Sequence, residues 1–439
     1  MTEIFENIGK INYEGKDSKN PLSFKFYDSN KLVAGKTMKE QLKFAMAWWH
    51  NLCATGQDMF GPGTADKSFG TKVGTMEHAH KKVEAGFEFM DKLGVDYFCF
   101  HDVDLVPEAE DIKETNKRLD EISDHIKELQ EKTNKKLLWG TANCFSHPKY
   151  MAGAGSSSEP EVFAFAAAQI KKALDLTVKL EGEGYTFWGG REGYDSLLNT
   201  NIGLEKANIG RLMRIAVEYG RSIGFTGIFY IEPKPKEPTK HQYDFDAETA
   251  ISFIKEQDLE KDFKLNIEAN HATLATHTFQ HDLRIARIND MLGSVDANQG
   301  DYLLGWDTDE FPADVYETTF AMYEILKAGG LTTGGLNFDA KNRRQSYTYE
   351  DMFKGFILGM DSFALGLINA DKIINDGRID QFIEKKYSGF KEGLGKKIID
   401  GDIGLKELSD LAESRGKPAL PPSGNQEGLQ SIINQIIFS

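Results

Sequence analysis

Several short segments in the second half of the chain end in groups able to hold a metal ion or move a proton. Asn266-Ile267-Glu268-Ala269-Asn270-His271 places a carboxylate and an imidazole three residues apart. Ser294-Val295-Asp296 adds an acid, and Gly305-Trp306-Asp307-Thr308-Asp309-Glu310 places Asp307 and Asp309 two apart, which an extended backbone turns to one side. Asn337-Phe338-Asp339 supplies another acid, and Glu232 stands in the proline-rich stretch Tyr230-Ile231-Glu232-Pro233-Lys234-Pro235-Lys236-Glu237-Pro238. Brought together, these six carboxylates would repel and push one another's pKa values upward. Two divalent cations would neutralise four of the six charges, and an oxygen-rich set suits Mg²⁺ or Mn²⁺ rather than Zn²⁺.

Other residues could act on a ligand held there. Lys234 lies two residues beyond Glu232 and can face the same way. His101-Asp102-Val103-Asp104 offers an imidazole with a carboxylate able to fix its tautomer. Trp49, Trp139 and Trp188, with Phe60 on a Gly- and Pro-rich loop, are expected to wall a pocket and exclude water. His277 and His281 have i, i+4 spacing that invites a zinc reading. No glutamate accompanies them as a base, so they read as structural histidines on the helix after the sixth strand. The run Lys341-Asn342-Arg343-Arg344 reads as loop or helix-start surface, available to pair with nearby acids.

All these groups need a frame that gathers distant segments. Short apolar runs rich in β-branched and aromatic residues recur at Lys43 to His50, Tyr97 to His101, Lys136 to Thr141, Gly184 to Trp188, Phe225 to Glu232, Phe263 to Glu268, Gly293 to Asp296 and Gly335 to Asp339. Helical periodicity fills most of the intervals, as from Met76 to Leu93 and within Glu108 to Lys132. Eight strands alternating with helices predict an α/β fold of the (β/α)₈ TIM-barrel type, in which all strand C-termini open on one face. A doubly wound sheet is disfavoured, because no Gly-rich dinucleotide motif follows the first strand. The barrel, with an irregular N-terminal lead-in, is expected over residues 1–370. Residues 371–439 read as an extended C-terminal helical arm for subunit association, ending in apolar Ile432-Ile433 and Phe438.

Composition narrows the function classes. The chain has 439 residues, of which 40% are hydrophobic, enough for a sizeable core. The formal net charge of −16 argues against a nucleic-acid partner, which would require clustered basic residues. No apolar run approaches the length of a membrane span. The start lacks the basic and apolar regions of a signal peptide, and the scattered Cys53, Cys99 and Cys144 read as reduced thiols, so a cytoplasmic location is expected. A barrel phosphodiester hydrolase would need a basic groove and more histidines. A silent sugar- or metal-binding protein would not need His101, Lys234 and Asp307 together.

The motifs Phe100-His101-Asp102-Val103-Asp104, Phe187-Trp188-Gly189-Gly190-Arg191-Glu192-Gly193-Tyr194, Ile231-Glu232-Pro233-Lys234-Pro235, Glu268-Ala269-Asn270-His271 and Asp307-Thr308-Asp309 closely resemble those of the xylose isomerases, specifically the longer class with an extended N-terminal segment. The resemblance runs over essentially the whole chain. It implies interconversion of D-xylose and D-xylulose, and of D-glucose and D-fructose, by ring opening and a metal-assisted 1,2-hydride shift. It further implies one Mg²⁺, Mn²⁺ or Co²⁺ ion held by Glu232, Glu268, Asp296 and Asp339, and a second held by Glu268, His271, Asp307 and Asp309. His101, oriented by Asp104, would assist ring opening, Lys234 would bond the C1 oxygen, and Asp307 would help move the hydroxyl proton. Trp49, Trp139, Thr141 and Trp188 would contact or enclose substrate. Phe60 would reach a neighbouring subunit's site in a homotetramer.

Overall fold

The computed structural model describes residues 3–439, which divide into two compact units on either side of the junction between Leu367 and Ile368. The larger unit is a closed barrel of eight parallel strands: β1 (Phe44–Ala47), β2 (Tyr97–His101), β3 (Lys136–Thr141), β4 (Gly184–Trp188), β5 (Ile228–Glu232), β6 (Phe263–Glu268), β7 (Leu292–Asp296) and β8 (Leu336–Phe338). Neighbours in sequence are neighbours in space, and Leu336 of β8 pairs with Phe44 of β1 to close the ring. A helix follows each strand: α1 (Met76–Leu93), α2 (Ile112–Thr133), α3 (Pro160–Lys179), α4 (Ile202–Ser222), α5 (Ala247–Glu256), α6 (Phe279–Ile288), α7 (Val315–Lys327) and α8 (Tyr349–Asp376).

The expected α/β barrel is therefore present, with shorter outer strands than the apolar runs suggested. β1 stops at Ala47, because Trp49 already lies in a wide, π-type helical turn, Trp49–Cys53. β5 begins only at Ile228, since Phe225 packs beneath α4 and the chain bends at Gly227. The helices start where the chain offers caps. Thr75 accepts from His78 N at the head of α1, and Asp246 accepts from Thr249 N at the head of α5.

Alternation along β5 sets the depth of the site. Tyr230 points into the barrel, where a Cβ added at Gly184 or Gly293 would come within 2.3 or 2.5 Å of its ring. Only glycine on β4 and β7 leaves room for that ring, whose hydroxyl donates to Thr333 O at 2.7 Å. Two residues on, Glu232 shares the inward direction one layer nearer the C-terminal mouth. The lead-in is tied down by the buried Asp361, which accepts from the backbone N–H of Lys25, Phe26 and Tyr27 at 2.8, 2.9 and 2.8 Å.

The smaller unit takes up the end of α8 and adds α9 (Arg378–Lys386), α10 (Gly393–Asp400), α11 (Leu405–Arg415) and α12 (Gln426–Ile437). Its helices bury few of their own side chains. Ile433 and Ile436 are buried, while Ile399, Leu405 and Phe438 are exposed.

Candidate functional site

The strand ends deliver the acids to one place. Glu232 and Glu268 are the last residues of β5 and β6, Asp296 ends β7, and Asp339 follows β8. One oxygen from each of these four lies within 4.8 Å of the others. Glu268, Asp307 and Asp309 form a second such group, so Glu268 belongs to both. His271, in the helical turn after β6, sets Nε2 3.1 Å from Asp307 Oδ2 and 3.1 Å from Glu268 Oε2. A cavity of about 290 Å³ opens over this cluster, with Trp49, His101, Trp139, Thr141, Trp188 and Lys234 among its walls.

Burying so many carboxylates is costly unless something offsets their charge. Burial and the neighbouring Asp296 and Asp339 push Glu232 well above the usual carboxylate range. Burial and Asp307 do the same to Glu268, and burial together with Asp339 lifts Asp296 to about 7. Asp307 goes the other way. Although burial opposes ionisation, the Lys234 ammonium 2.7 Å away and His271 hold it well below the usual range. Asp339 is likewise lowered, against its burial, by His50, whose Nε2 lies 2.8 Å from Oδ1. Burial disfavours the His50 imidazolium, yet Asp339 and Asp309 raise it to about 9.

The donor set fits divalent cations. Glu268 Oε2, His271 Nδ1 and Asp307 Oδ1 are buried and without a hydrogen-bond partner. Orphaned acceptors of this kind, converging from several strands, leave lone pairs that a hard cation would satisfy.

Four asparagines form a neutral frame around the acids. Asn266 Nδ2 donates to Glu232 Oε2 and Asp296 Oδ2, both at 2.9 Å, and Asn337 Nδ2 donates to Asp296 Oδ1 at 2.8 Å. Asn298 Nδ2 donates to Glu268 Oε1 at 2.7 Å. Asn270 Oδ1 accepts from Thr308 N at 2.8 Å and from Asp309 N at 3.2 Å, which fixes the loop carrying the Asp-x-Asp pair. Asp309 itself has φ +43°, a left-handed conformation unfavourable for aspartate. Arg343 holds that bend in place, donating through Nη2 to Thr308 O at 2.6 Å, Asp309 O at 3.0 Å and Lys341 O at 2.9 Å. Lys341 Nζ reaches Asp309 Oδ2 at 2.6 Å. The basic run expected at the surface thus reaches inward to the acid loop.

His101 faces the cavity from the end of β2. Its Nδ1 is 3.0 Å from Asp104 Oδ2, which also accepts from His101 N at 2.9 Å. Burial lowers the imidazole pKa, but Asp104 outweighs it and the net shift is upward. Asp102 turns elsewhere, accepting from Asn143 N at 2.8 Å and Gln169 Nε2 at 2.9 Å. Aromatic rings enclose the imidazole. Trp49 stands 4.5 Å from it, centroid to centroid, and donates through Nε1 to Asp339 Oδ1 at 2.7 Å. Phe145 bridges His101, at 5.6 Å, to Trp188, at 4.4 Å. The Lys234 ammonium sits 5.3 Å over the Trp188 ring. Phe60 is not brought into the cavity; it is 88% exposed on its loop.

Sequence reading missed His50, Phe145 and the asparagines as parts of the site, while the pairing of Lys341 with a nearby acid, Asp309, was among its expectations. A signal for the asparagines was present. Asn266 and Asn270 each stand two residues from Glu268, Asn298 two from Asp296, and Asn337 two from Asp339. At period two, Asn266 and Glu268 share a face of β6. His277 also departs from expectation. It precedes Thr278, the cap of α6, and only His281 is on the helix.

Known proteins resemble this chain over its whole length. It is 57% identical over 437 residues to the xylose isomerase of Thermotoga petrophila, covering 100% of this chain and 98% of that protein. It is 54% identical over 437 residues to the xylose isomerase of Caldicellulosiruptor bescii, covering 100% of both. A family model described as the XylA2 C-terminal domain matches residues 383–437. Among solved structures, D-psicose 3-epimerase from Clostridium cellulolyticum H10 superposes with a TM-score of 0.50 at 11% identity, over 74% of this chain and 99% of that one. An L-ribulose 3-epimerase gives 0.50 at 11%, over 76% and 97%; at such identities the likeness concerns the fold alone.

Replacing Arg343 with Ala should leave the Thr308 and Lys341 carbonyls without their donor, with Asp309 O keeping only Lys341 N, and loosen the Asp307–Asp309 loop. We expect Co²⁺ or Mn²⁺ affinity, measured by calorimetry, to fall by about tenfold or more while the circular dichroism spectrum is retained. Unchanged affinity would show that the loop holds its shape without Arg343.

Proposed function

The chain belongs to the xylose isomerase family and is an aldose–ketose isomerase; on that footing we propose that it interconverts D-xylose and D-xylulose, and D-glucose and D-fructose by the same steps, with two divalent cations in the barrel mouth. The observation that carries the reading is the arrangement of His101, Lys234 and Asp307 around one small, aromatic-walled cavity over a shared carboxylate cluster.

The residues divide the work by position. With Nδ1 of His101 committed to Asp104, Nε2 is left to move a proton between the sugar's ring oxygen and its C1 hydroxyl, which opens the ring. Trp49, Trp139 and Trp188 exclude water and hold the open chain extended, with Thr141 beside them on β3. Cations of the Mg²⁺, Mn²⁺ or Co²⁺ type, one held by Glu232, Glu268, Asp296 and Asp339 and the other by Glu268, His271, Asp307 and Asp309, would supply Lewis-acid polarisation of the C1 and C2 oxygens. Lys234 donates to the C1 oxygen as negative charge grows there. Asp307, kept ionised by Lys234, accepts the proton of the C2 hydroxyl and returns it to the C1 oxygen. Between these two proton movements, hydrogen passes with its electron pair from C2 to C1. The aldehyde becomes an alcohol and C2 becomes the ketone, so no external oxidant or reductant is consumed. A route by proton abstraction at carbon would need a free base at C2, and nearly every carboxylate here is assigned to a cation.

We assign the arm, residues 371–439, to association of four chains in the cytoplasm, with Phe60 entering a neighbouring chain's cavity. The exposed Phe60 and the exposed apolar residues of α10 and α11 support this, and no helix among the described residues is long and apolar enough to cross a membrane. Sedimentation should then give about four times the 49.2 kDa chain mass. A monomer mass at working concentration would refute the assignment.

Stripping divalent cations with a chelator should abolish xylose isomerisation, and adding back Mg²⁺, Mn²⁺ or Co²⁺ should restore it. Activity indifferent to chelation would overturn the role given to the acid cluster. Lys234→Ala should lower kcat/KM by about 10²- to 10³-fold with the fold retained, the scale of losing one donor to developing oxyanion charge. Near-wild-type turnover in this variant would remove Lys234 from the chemistry.

A further inference from the structure

A second set of metal-type donors lies in the connection between β6 and α6, and shares no residue with the barrel cluster. The helical turn Ala269–Leu274, which carries His271, runs out at Ala275. His277 follows, and Thr278 then caps α6 by accepting from His281 N at 3.2 Å, which places His281 and Asp282 in the first turn of that helix. His277 Nδ1 is 2.8 Å from Asp282 Oδ1. The two imidazole rings are 4.4 Å apart between centroids, tilted by 58°. One ligand atom from each of His277, His281 and Asp282 lies within 4.8 Å of the others.

Three features favour a ligand over a simple hydrogen-bonded cluster. Asp282 is only 3% exposed, and burial pushes its carboxyl upward against the pull of His277, so it gains from a stronger counter-charge. The ring nitrogens of His281 have no hydrogen-bond partner among the described residues, and the ring is exposed, so a donor stands ready on the open side. Asp246, the cap of α5, stands behind the His277 ring with Oδ2 4.0 Å from Nε2, where it can orient the imidazole from the far side. Two imidazoles beside a carboxylate form a mixed nitrogen–oxygen set. Such a set, with Zn–N and Zn–O near about 2.0–2.2 Å, is typical of Zn²⁺ and ill suited to Mg²⁺.

We infer that His277, His281 and Asp282 form a separate transition-metal site, selective for Zn²⁺-type ions over Mg²⁺, that clamps the start of α6 to the segment following His271. No carboxylate stands free beside the set as a base, so the site is structural. It does not depend on the barrel cluster holding cations.

The test counts bound metal on the full chain dialysed against Zn²⁺ in a large excess of Mg²⁺. His281→Gln changes one exposed ring, and His277→Ala removes the ligand paired with Asp282. The wild-type protein should carry one more Zn²⁺ per chain than either variant, with Mg²⁺-supported isomerase activity unchanged in His281→Gln. Equal Zn²⁺ content in wild type and His281→Gln would overturn the inference. Because the readout is a difference between proteins with the same barrel, it stands even if the barrel proves to bind no cation. If His277→Ala fails to fold, His281→Gln carries the decision alone.

Discussion

Six carboxylates buried at one barrel mouth repel one another in a medium that screens poorly, and the surrounding structure is arranged against that repulsion. Two devices share the task. Cationic groups, Lys234, Lys341 and His50, each sit against an acid at the rim. Amide donors from Asn266, Asn298 and Asn337 satisfy oxygens deeper down without adding charge. What remains is a small set of unsatisfied lone pairs on Glu268, His271 and Asp307, and these mark where a cation is wanted. A more complete set of protein cations would have closed the site to metal.

The barrel supplies geometry that no local segment could. Each strand contributes only one or two groups, and the parallel register brings all strand ends to one level. Depth is controlled from below, where Tyr230 fills the barrel between Gly184 and Gly293 and so sets the floor on which Glu232 stands. The aromatic wall and His101 come from the opposite arc of the barrel, β1 to β4, so the polar and apolar halves of the cavity arise from different halves of the chain.

Much of this was legible in the residues. Strands buried on both faces write themselves as apolar runs, which is why all eight could be located, and acids ending such runs have few structural explanations. Boundaries were less visible at β1 and β5, where apolar and aromatic residues continue past the end of the ladder. The asparagine frame was overlooked because an amide gives no charge signal and its role exists only once strands are adjacent. His50 was hidden by the tryptophans before it, and its partners Asp309 and Asp339 are more than two hundred residues away. Lys341 and Arg343 looked like surface because a basic run normally is, and only the fold of the Asp307–Asp309 loop turns them inward.

The asparagine frame also bears on the protein's chemical lifetime. Hydrolysis of the Asn266, Asn298 or Asn337 amide would turn a donor into a further acid, placing a new negative charge against carboxylates that already resist ionising. Such ageing proceeds when the following backbone nitrogen can swing onto the side-chain amide, a movement the extended ladder of β6 and β8 denies to Asn266 and Asn337. Asn298 lies past the end of β7, but its side chain bonds Glu268 and Asp339 O and accepts from Asn270 N, and the nitrogen that follows it, Gln299 N, donates to Glu310 O at 2.8 Å. The bonds that aim these amides at the acids thus also slow their conversion into acids.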